Sequence, residues 1–130
     1  MGRVWRQLLL LATTLLAGDI RKGGSTVGRV EPDGGIRIGG TLIGRFESGG
    51  DIRIRGSIVG SVESDGTIRQ GGSPIGKVES DGGIRKNGTL IGKVEHGGTV
   101  RLHGSIVGSV DGVTPAQAAA LLAFDLVELS

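Results

Sequence analysis

Aliphatic residues recur along this chain every sixteen positions: Ile20, Ile36, Ile52, Ile68, Ile84 and Val100. Each is followed at once by an arginine: Arg21, Arg37, Arg53, Arg69, Arg85 and Arg101. A glycine stands four residues after each aliphatic (Gly24, Gly40, Gly56, Gly72, Gly88, Gly104) and another eight after it (Gly28, Gly44, Gly60, Gly76, Gly92, Gly108). In the fifth unit, Asn87-Gly88 separates two short runs, and that dipeptide favours a type I′ turn with φ > 0 at both central residues. Pairing across it sets Lys86 opposite Thr89, Arg85 opposite Leu90 and Ile84 opposite Ile91. Alternation then turns the aliphatics to one face and the arginines to the other.

Three other units carry Gly-Gly at this turn, whereas Arg55-Gly56 and His103-Gly104 do not suit I′ geometry at the first position, which predicts a type II turn or another loop there. Aliphatics three apart, such as Ile91 and Val94 or Ile43 and Phe46, would fall on opposite faces of a flat strand. The glycine between them is read as a bulge or corner that returns both to the core. A second turn follows at Pro32-Asp33-Gly34, Ser64-Asp65-Gly66 and Ser80-Asp81-Gly82, with Ser48-Gly49-Gly50 and His96-Gly97-Gly98 as variants. Each unit is two short strands and two turns. Its three or so buried aliphatics, at about 1.5–3 kcal/mol each, do not offset an ordering cost of about 1–2 kcal/mol for each of its residues. The units must therefore share one core.

The beat stops at Gly112. Thr114 suits an N-cap, Pro115 the first helical position, and residues 116–129 contain no helix breaker, so an apolar helix within 113–130 is expected to pack on the repeat domain, 19–112. Residues 1–18 lie outside the repeat, with Arg3 and Arg6, an apolar run over 8–17, and the small pair Ala17-Gly18. Two readings stand: a signal peptide, or an N-terminal capping helix. The run is shorter than the roughly 20 residues a membrane-spanning helix needs.

Twenty-seven glycines in 130 residues would suggest disorder in an aperiodic chain, but here they mark turns. Two Phe, one Trp and no Tyr leave almost no stacking platform, and from Asp19 onward thirteen basic residues meet thirteen acidic ones. Nucleic-acid binding, which wants a basic excess and aromatic platforms, is not expected. The absence of cysteine excludes a disulfide framework, a thiolate metal site and a cysteine nucleophile.

The string G-x-I-R-x-x-G-(S/T)-x-I-G-x-V-E-x-(D/G)-G, ending in Val110-Asp111-Gly112-Val113 and an alanine-rich apolar tail, resembles the bacterial β-flower repeat proteins, particularly their five-fold group. The likeness covers residues 19–127. It implies an all-β fold of six 16-residue β-hairpin repeats arranged radially. Six Ile-Arg corners against five complete D/G-G junctions fit five full petals plus closing half-units. The rival architecture is a β-solenoid with one repeat per rung, whose arginines would stack as a like-charged ladder about 4.8 Å apart.

The six arginines are the candidate ligand-binding residues: on a closed ring they would lie on one circle and could focus potential on an anion. Against this stands pairing with Glu31, Glu47, Glu63, Glu79, Glu95 and Asp111, each six residues before the next arginine or its expected place. Repetition of Ser25, Thr41, Ser57, Ser73, Thr89 and Ser105 is ordinary strand-start usage. Asp33, Asp65 and Asp81 read as Asx turns, and His96 and His103 as surface turn residues, so no metal or cofactor is assigned. Every polar type except histidine is repeated, so no serine or aspartate stands apart as a catalytic residue. The expectation is a non-enzymatic structural or interaction module of the cell envelope or exterior, displaying repeated Arg/Glu positions to a protein partner. The alternatives are an anion-binding module, a self-assembling oligomer or filament, and a cytoplasmic protein that keeps residues 1–18.

Overall fold

Residues 18–129 are described by a computed structural model, in which every repeat forms one antiparallel hairpin. The strands are β1 (Gly18–Lys22), β2 (Ser25–Val30), β3 (Gly35–Ile38), β4 (Thr41–Phe46), β5 (Asp51–Ile54), β6 (Ser57–Val62), β7 (Thr67–Gln70), β8 (Ser73–Val78), β9 (Gly83–Lys86), β10 (Thr89–Val94), β11 (Thr99–Leu102) and β12 (Ser105–Val110). Each pairs with its neighbours in sequence, and β1 pairs with β12, which closes a twelve-strand barrel. The hairpins are radial, and their antiparallel pairing excludes a solenoid of stacked rungs. There are six complete hairpins, not five with closing half-units, because the β1–β12 pairing takes the place of a sixth junction. Gly18 opens β1; the readings offered for the segment before it fall on residues 1–17, outside those described.

The periodic aliphatics line the interior. Ile20, Ile36, Ile52, Ile68, Ile84 and Val100 are all 0% exposed. Each lies between the glycine of its own hairpin and an aliphatic or phenylalanine of the preceding one: Ile36 pairs with Gly44 on one side and Val30 on the other.

The expected pairing of Ile84 with Ile91 is corrected. Lys86 meets Thr89 and Arg85 meets Leu90, but Ile84 meets Gly92, so Ile91 is the extra residue of a β-bulge. The register shifts at the same place in all six hairpins. The bulge therefore falls on the aliphatic, and the glycine after it is an inward position. Its displaced carbonyl is used by the next hairpin, whose turn amide donates to it, as in Gly39 N to Val27 O (3.1 Å), Arg55 N to Ile43 O (2.8 Å) and His103 N to Ile91 O (2.9 Å). One extra residue both bends the hairpin and ties it to its neighbour.

Inward glycines permit close approach. A Cβ on Gly44 would run into the carbonyl oxygen of Arg53 and sit 2.8 Å from Ile54 Cδ1. Ile38, Ile54 and Leu102 cover Gly28, Gly44 and Gly92 in this way. Where the corresponding residue is Lys86 or Lys22, the C-terminal tail substitutes: Phe124 covers Gly76 and Leu122 covers Gly108.

That tail enters the barrel as α1 (Pro115–Leu122), in which Ala118, Ala119, Ala120, Leu121 and Leu122 are buried on every side. Thr114 caps it reciprocally: Gln117 N donates to Thr114 Oγ1 at 3.1 Å, and Thr114 N to Gln117 Oε1 at 3.0 Å. The helix stops at Leu122 instead of running to residue 129. Its eight residues rise about 12 Å, no longer than strands of four to six residues at about 3.3 Å each. Phe124 N and Ala123 N share the Ala119 oxygen, Asp125 adopts φ 53°, and Leu126, Val127 and Leu129 beyond it are buried.

All six hairpin tips have positive φ at both central residues, including Arg55 (51°) and His103 (53°). The expected exception at these two turns is thus overturned: type I′ geometry, matched to strand twist, prevails over the side chain's preference. Replacing Arg55 by asparagine should stabilise the protein by up to about 1 kcal/mol, read as a higher urea midpoint. Gly44→Ala should cost about 1–3 kcal/mol through overpacking. Gly49→Ala, where a Cβ meets nothing within 4 Å and no positive φ is required, should stay within about 0.5 kcal/mol of the parent; equal losses at the two glycines would refute the close-approach account.

Candidate functional site: the outer wall and the barrel mouth

Alternation places the six periodic arginines on the outer wall, opposite in direction to the buried isoleucines. Five carry the same pair of bonds. Arg37, Arg53, Arg69, Arg85 and Arg101 each direct Nε to the glutamate six residues earlier, at 2.7–3.0 Å. Their Nη1 atoms donate to the carbonyl oxygen of the hairpin-tip glycine three residues later, at 3.0–3.3 Å. The guanidinium is thus clamped along the wall, between the turn at one end of the barrel and the tip at the other. Arg21 is not among the clamped set in the described residues; Asp111, at the equivalent acidic position, has a side chain one methylene shorter.

The arginines sit on a circle, as the repeat implied, but point away from its axis, and five of them have a carboxylate at hand. These side chains are 26–42% exposed. At that exposure each pair contributes only about 0.2–1 kcal/mol. The uniform clamp therefore shapes the surface more than it holds the fold.

Two features of this wall lie beyond the arginine pattern. Between hairpins, cations face cations across the strands: Arg29 and Arg37, Arg45 and Arg53, Lys77 and Arg85, Lys93 and Arg101. Such pairs are unfavourable alone, and the glutamate beside each offsets one charge. Within hairpins, Leu42, Ile58, Leu90 and Ile106 stand opposite a clamped arginine and are 51–59% exposed. The signal that would have found both is a 48-residue correspondence. It relates Arg29 to Lys77, Leu42 to Leu90, Arg45 to Lys93, Ile58 to Ile106 and Ser61 to Ser109.

The barrel mouth at the inter-hairpin turns is the other concave region. A cavity of about 610 Å³ lies between the start of α1 and three consecutive turns. Those turns carry Ser48, Ser64 and Ser80, where the others carry Pro32, His96 and Gly112. Its floor is apolar, with Phe46, Val62, Val78 and Ala116. Glu31 and Glu79 in the turns also approach Gly35 and Gly83 on the outer face, where they meet the arginines. The aspartates of three turns are engaged with the backbone: Asp33, Asp65 and Asp81 accept from Gly35, Thr67 and Gly83 amides at 2.9–3.0 Å, as Asx turns do. Among the described residues no group of three or more acidic, histidine or cysteine side chains is placed to hold a metal. His96 borders a smaller recess at the mouth, and His103 occupies a hairpin tip at the opposite end. Among the described residues no helix is long and apolar enough to cross a membrane.

The backbone amide and hydroxyl of Thr67 hold the Asp65 carboxyl below its ordinary value of 3.8. The folded state thus favours the ionised form, so this stabilisation is complete above the ordinary value and is lost as pH falls through the lowered one. An NMR titration should show Asp65 titrating below 3.8 and Thr67→Ala moving its midpoint upward; an unmoved midpoint would remove the hydroxyl's role.

Compared with known proteins, the chain matches no family model, no curated protein and no solved structure.

Proposed function

We propose that this protein is a non-enzymatic interaction module that presents repeated, clamped Arg/Glu positions on a rigid barrel to a partner at the cell envelope or outside the cell. The observation that carries this reading is the five-fold recurrence of one arginine geometry, Nε on a glutamate and Nη1 on a glycine carbonyl, along an exposed wall. A guanidinium held by two bonds loses less side-chain entropy on meeting a partner than a free one, so the wall is preorganised for contact. Convergence on a small anion is less well supported, because the guanidiniums diverge and their glutamates lie within 3.0 Å. Assembly through open strand edges finds no support in the described residues, since β1 and β12 pair with each other. The repeat string remains our ground for proposing kinship with the bacterial β-flower proteins.

The test compares the parent with a variant in which Arg37, Arg53, Arg69, Arg85 and Arg101 and their five glutamates become glutamine. Both should fold with similar urea midpoints, given the small worth of exposed pairs. In fractionated cells the parent should be recovered with the envelope or the medium, and the variant should be released from its partner. Recovery of both proteins wholly in the cytoplasm, with the same partition, would overturn the proposal.

A further inference from the structure

Asn87 is the only asparagine in the chain, and it precedes Gly88 at the tip of the fifth hairpin. Both residues are exposed, and a Cβ on Gly88 would meet nothing within 4 Å. The pair sets an electrophile, the Asn87 amide carbon, one peptide away from a nucleophile, the Gly88 nitrogen. Attack requires the peptide between them to rotate out of the turn, and glycine brings no side chain to obstruct that rotation.

What holds the tip decides whether it can rotate. At the other five tips the first central amide donates to the bulged carbonyl of a neighbouring hairpin: Gly23 N to Val107 O (3.2 Å), Gly39 N to Val27 O (3.1 Å), Arg55 N to Ile43 O (2.8 Å), Gly71 N to Val59 O (3.3 Å) and His103 N to Ile91 O (2.9 Å). Among the described residues no such bond joins Asn87 N to Ile75 O. The tip without this tie is the one that carries asparagine, and a tip held by fewer bonds opens at lower cost. The Asp-Gly pairs of the inter-hairpin turns, open to the same cyclisation, are held instead. Gly34 N donates to Glu31 O at 2.9 Å, Gly66 N to Glu63 O at 3.0 Å and Gly82 N to Glu79 O at 2.8 Å. The carboxylates of Asp33, Asp65 and Asp81 are themselves engaged by the amides of Gly35, Thr67 and Gly83. Asp111-Gly112 has no such amide bond among the described residues, but a carboxylate must be protonated before its oxygen leaves as water, whereas an amide loses ammonia at neutral pH.

We propose that Asn87 is a site of spontaneous deamidation, and that its conversion releases one of the five arginine clamps. Gly88 N bonds to Asn87 Cγ, the Cγ–Nδ2 bond breaks, and ammonia leaves with the proton from Gly88 N. Water then opens the cyclic imide: cleavage at Cγ gives aspartate, and cleavage at the main-chain carbonyl gives isoaspartate. Water is consumed and ammonia released in equal amounts, with no oxidation. Aspartate before glycine still suits a type I′ tip. Isoaspartate carries the main chain through Cβ and Cγ, which lengthens the two-residue turn and moves the Gly88 oxygen that Arg85 Nη1 holds at 3.1 Å. Either product sets a carboxylate next to Lys86, at a place where no other tip carries an acid.

The experiment is incubation of the full chain in warm neutral buffer, followed by intact mass, peptide mapping and labelling with an isoaspartate methyltransferase. Exchange of the Asn87 amide for a carboxylate is expected to accumulate with time, more slowly than in a free peptide of residues 85–90. Isoaspartate should appear at 87 and not at 33, 65 or 81. Asn87→Gly, which builds the Gly-Gly tip of three other hairpins, should keep the fold and hold the mass constant. Gly39→Asn, which builds the same dipeptide at a tied tip, should convert more slowly than Asn87. In the isoaspartate fraction the Arg85 Nε–H signal should move in the NMR spectrum while those of Arg37, Arg53, Arg69 and Arg101 stay. An Asn87 unchanged when the peptide has fully converted overturns the site. Equal rates at 39 and 87, or isoaspartate at 33, 65 or 81 as early as at 87, overturn the selection by held amides. Conversion to isoaspartate with the Arg85 signal in place overturns the released clamp.

Discussion

Closure of the ring between β1 and β12 is the contact on which the other features depend. A hairpin with a handful of buried aliphatics cannot fold alone, and a row of such hairpins would still present two bare edges. Pairing Ile20 with Val110 removes both edges and gives the bulged carbonyl of Val107 its donor, Gly23 N, at 3.2 Å. Closure demands that six nearly identical bends sum to one full turn. The single extra residue after each tip supplies that bend, and the inward glycine lets adjacent hairpins approach where the bend brings them together.

The closed ring creates an interior that short repeats cannot fill by themselves. Its wall alternates isoleucine with glycine, and glycine leaves space. Part of that space is taken by residues two after the periodic aliphatic, Ile38, Ile54 and Leu102. The rest is taken by α1 and the segment after it, which brings Phe124 and Leu122 to the glycines facing Lys86 and Lys22. Tail and wall are thus complementary in sequence at two of these places: opposite Lys86 and Lys22 the tail provides the apolar side chain that the hairpin lacks.

Much of this architecture was legible in the chain because a strict period makes each position report on the others. Hairpin tips, outward arginines, Asx turns and the helix start at Thr114 were all readable from local chemistry. Sequence and structure part where local preference yields to closure. A plain I′ hairpin counts evenly from its tip and sets Ile84 opposite Ile91, and nothing in a single hairpin requires the bulge that sets it opposite Gly92. The side chains of Arg55 and His103 disfavour positive φ and so point to other turns, yet a tip of different geometry would break the ring's uniform bend. The tail's apolar pattern suggests one long helix, and the left-handed backbone at Asp125 beyond the helix leaves no mark in that pattern. On the outer wall, the arginine period was visible, but the like-charged pairs between hairpins depend on inter-hairpin register.

A chain of near-identical units carries a risk that irregular proteins avoid: sliding the register by sixteen residues yields almost the same contacts, and alternatives of similar energy compete with the native ring. Departures from the repeat resolve that degeneracy. Lys86 stands where the half-turn counterpart is Ile38, and Phe124 fits the glycine beside Lys86, Gly76. A slip of sixteen residues toward the C-terminus would set Phe124 against Gly92, already covered by Leu102, which overpacks one site and empties another. The tail therefore acts as a key to register as well as a core filler. The interior key thus breaks a symmetry that the repeated outer wall largely keeps, and the barrel reaches one defined fold.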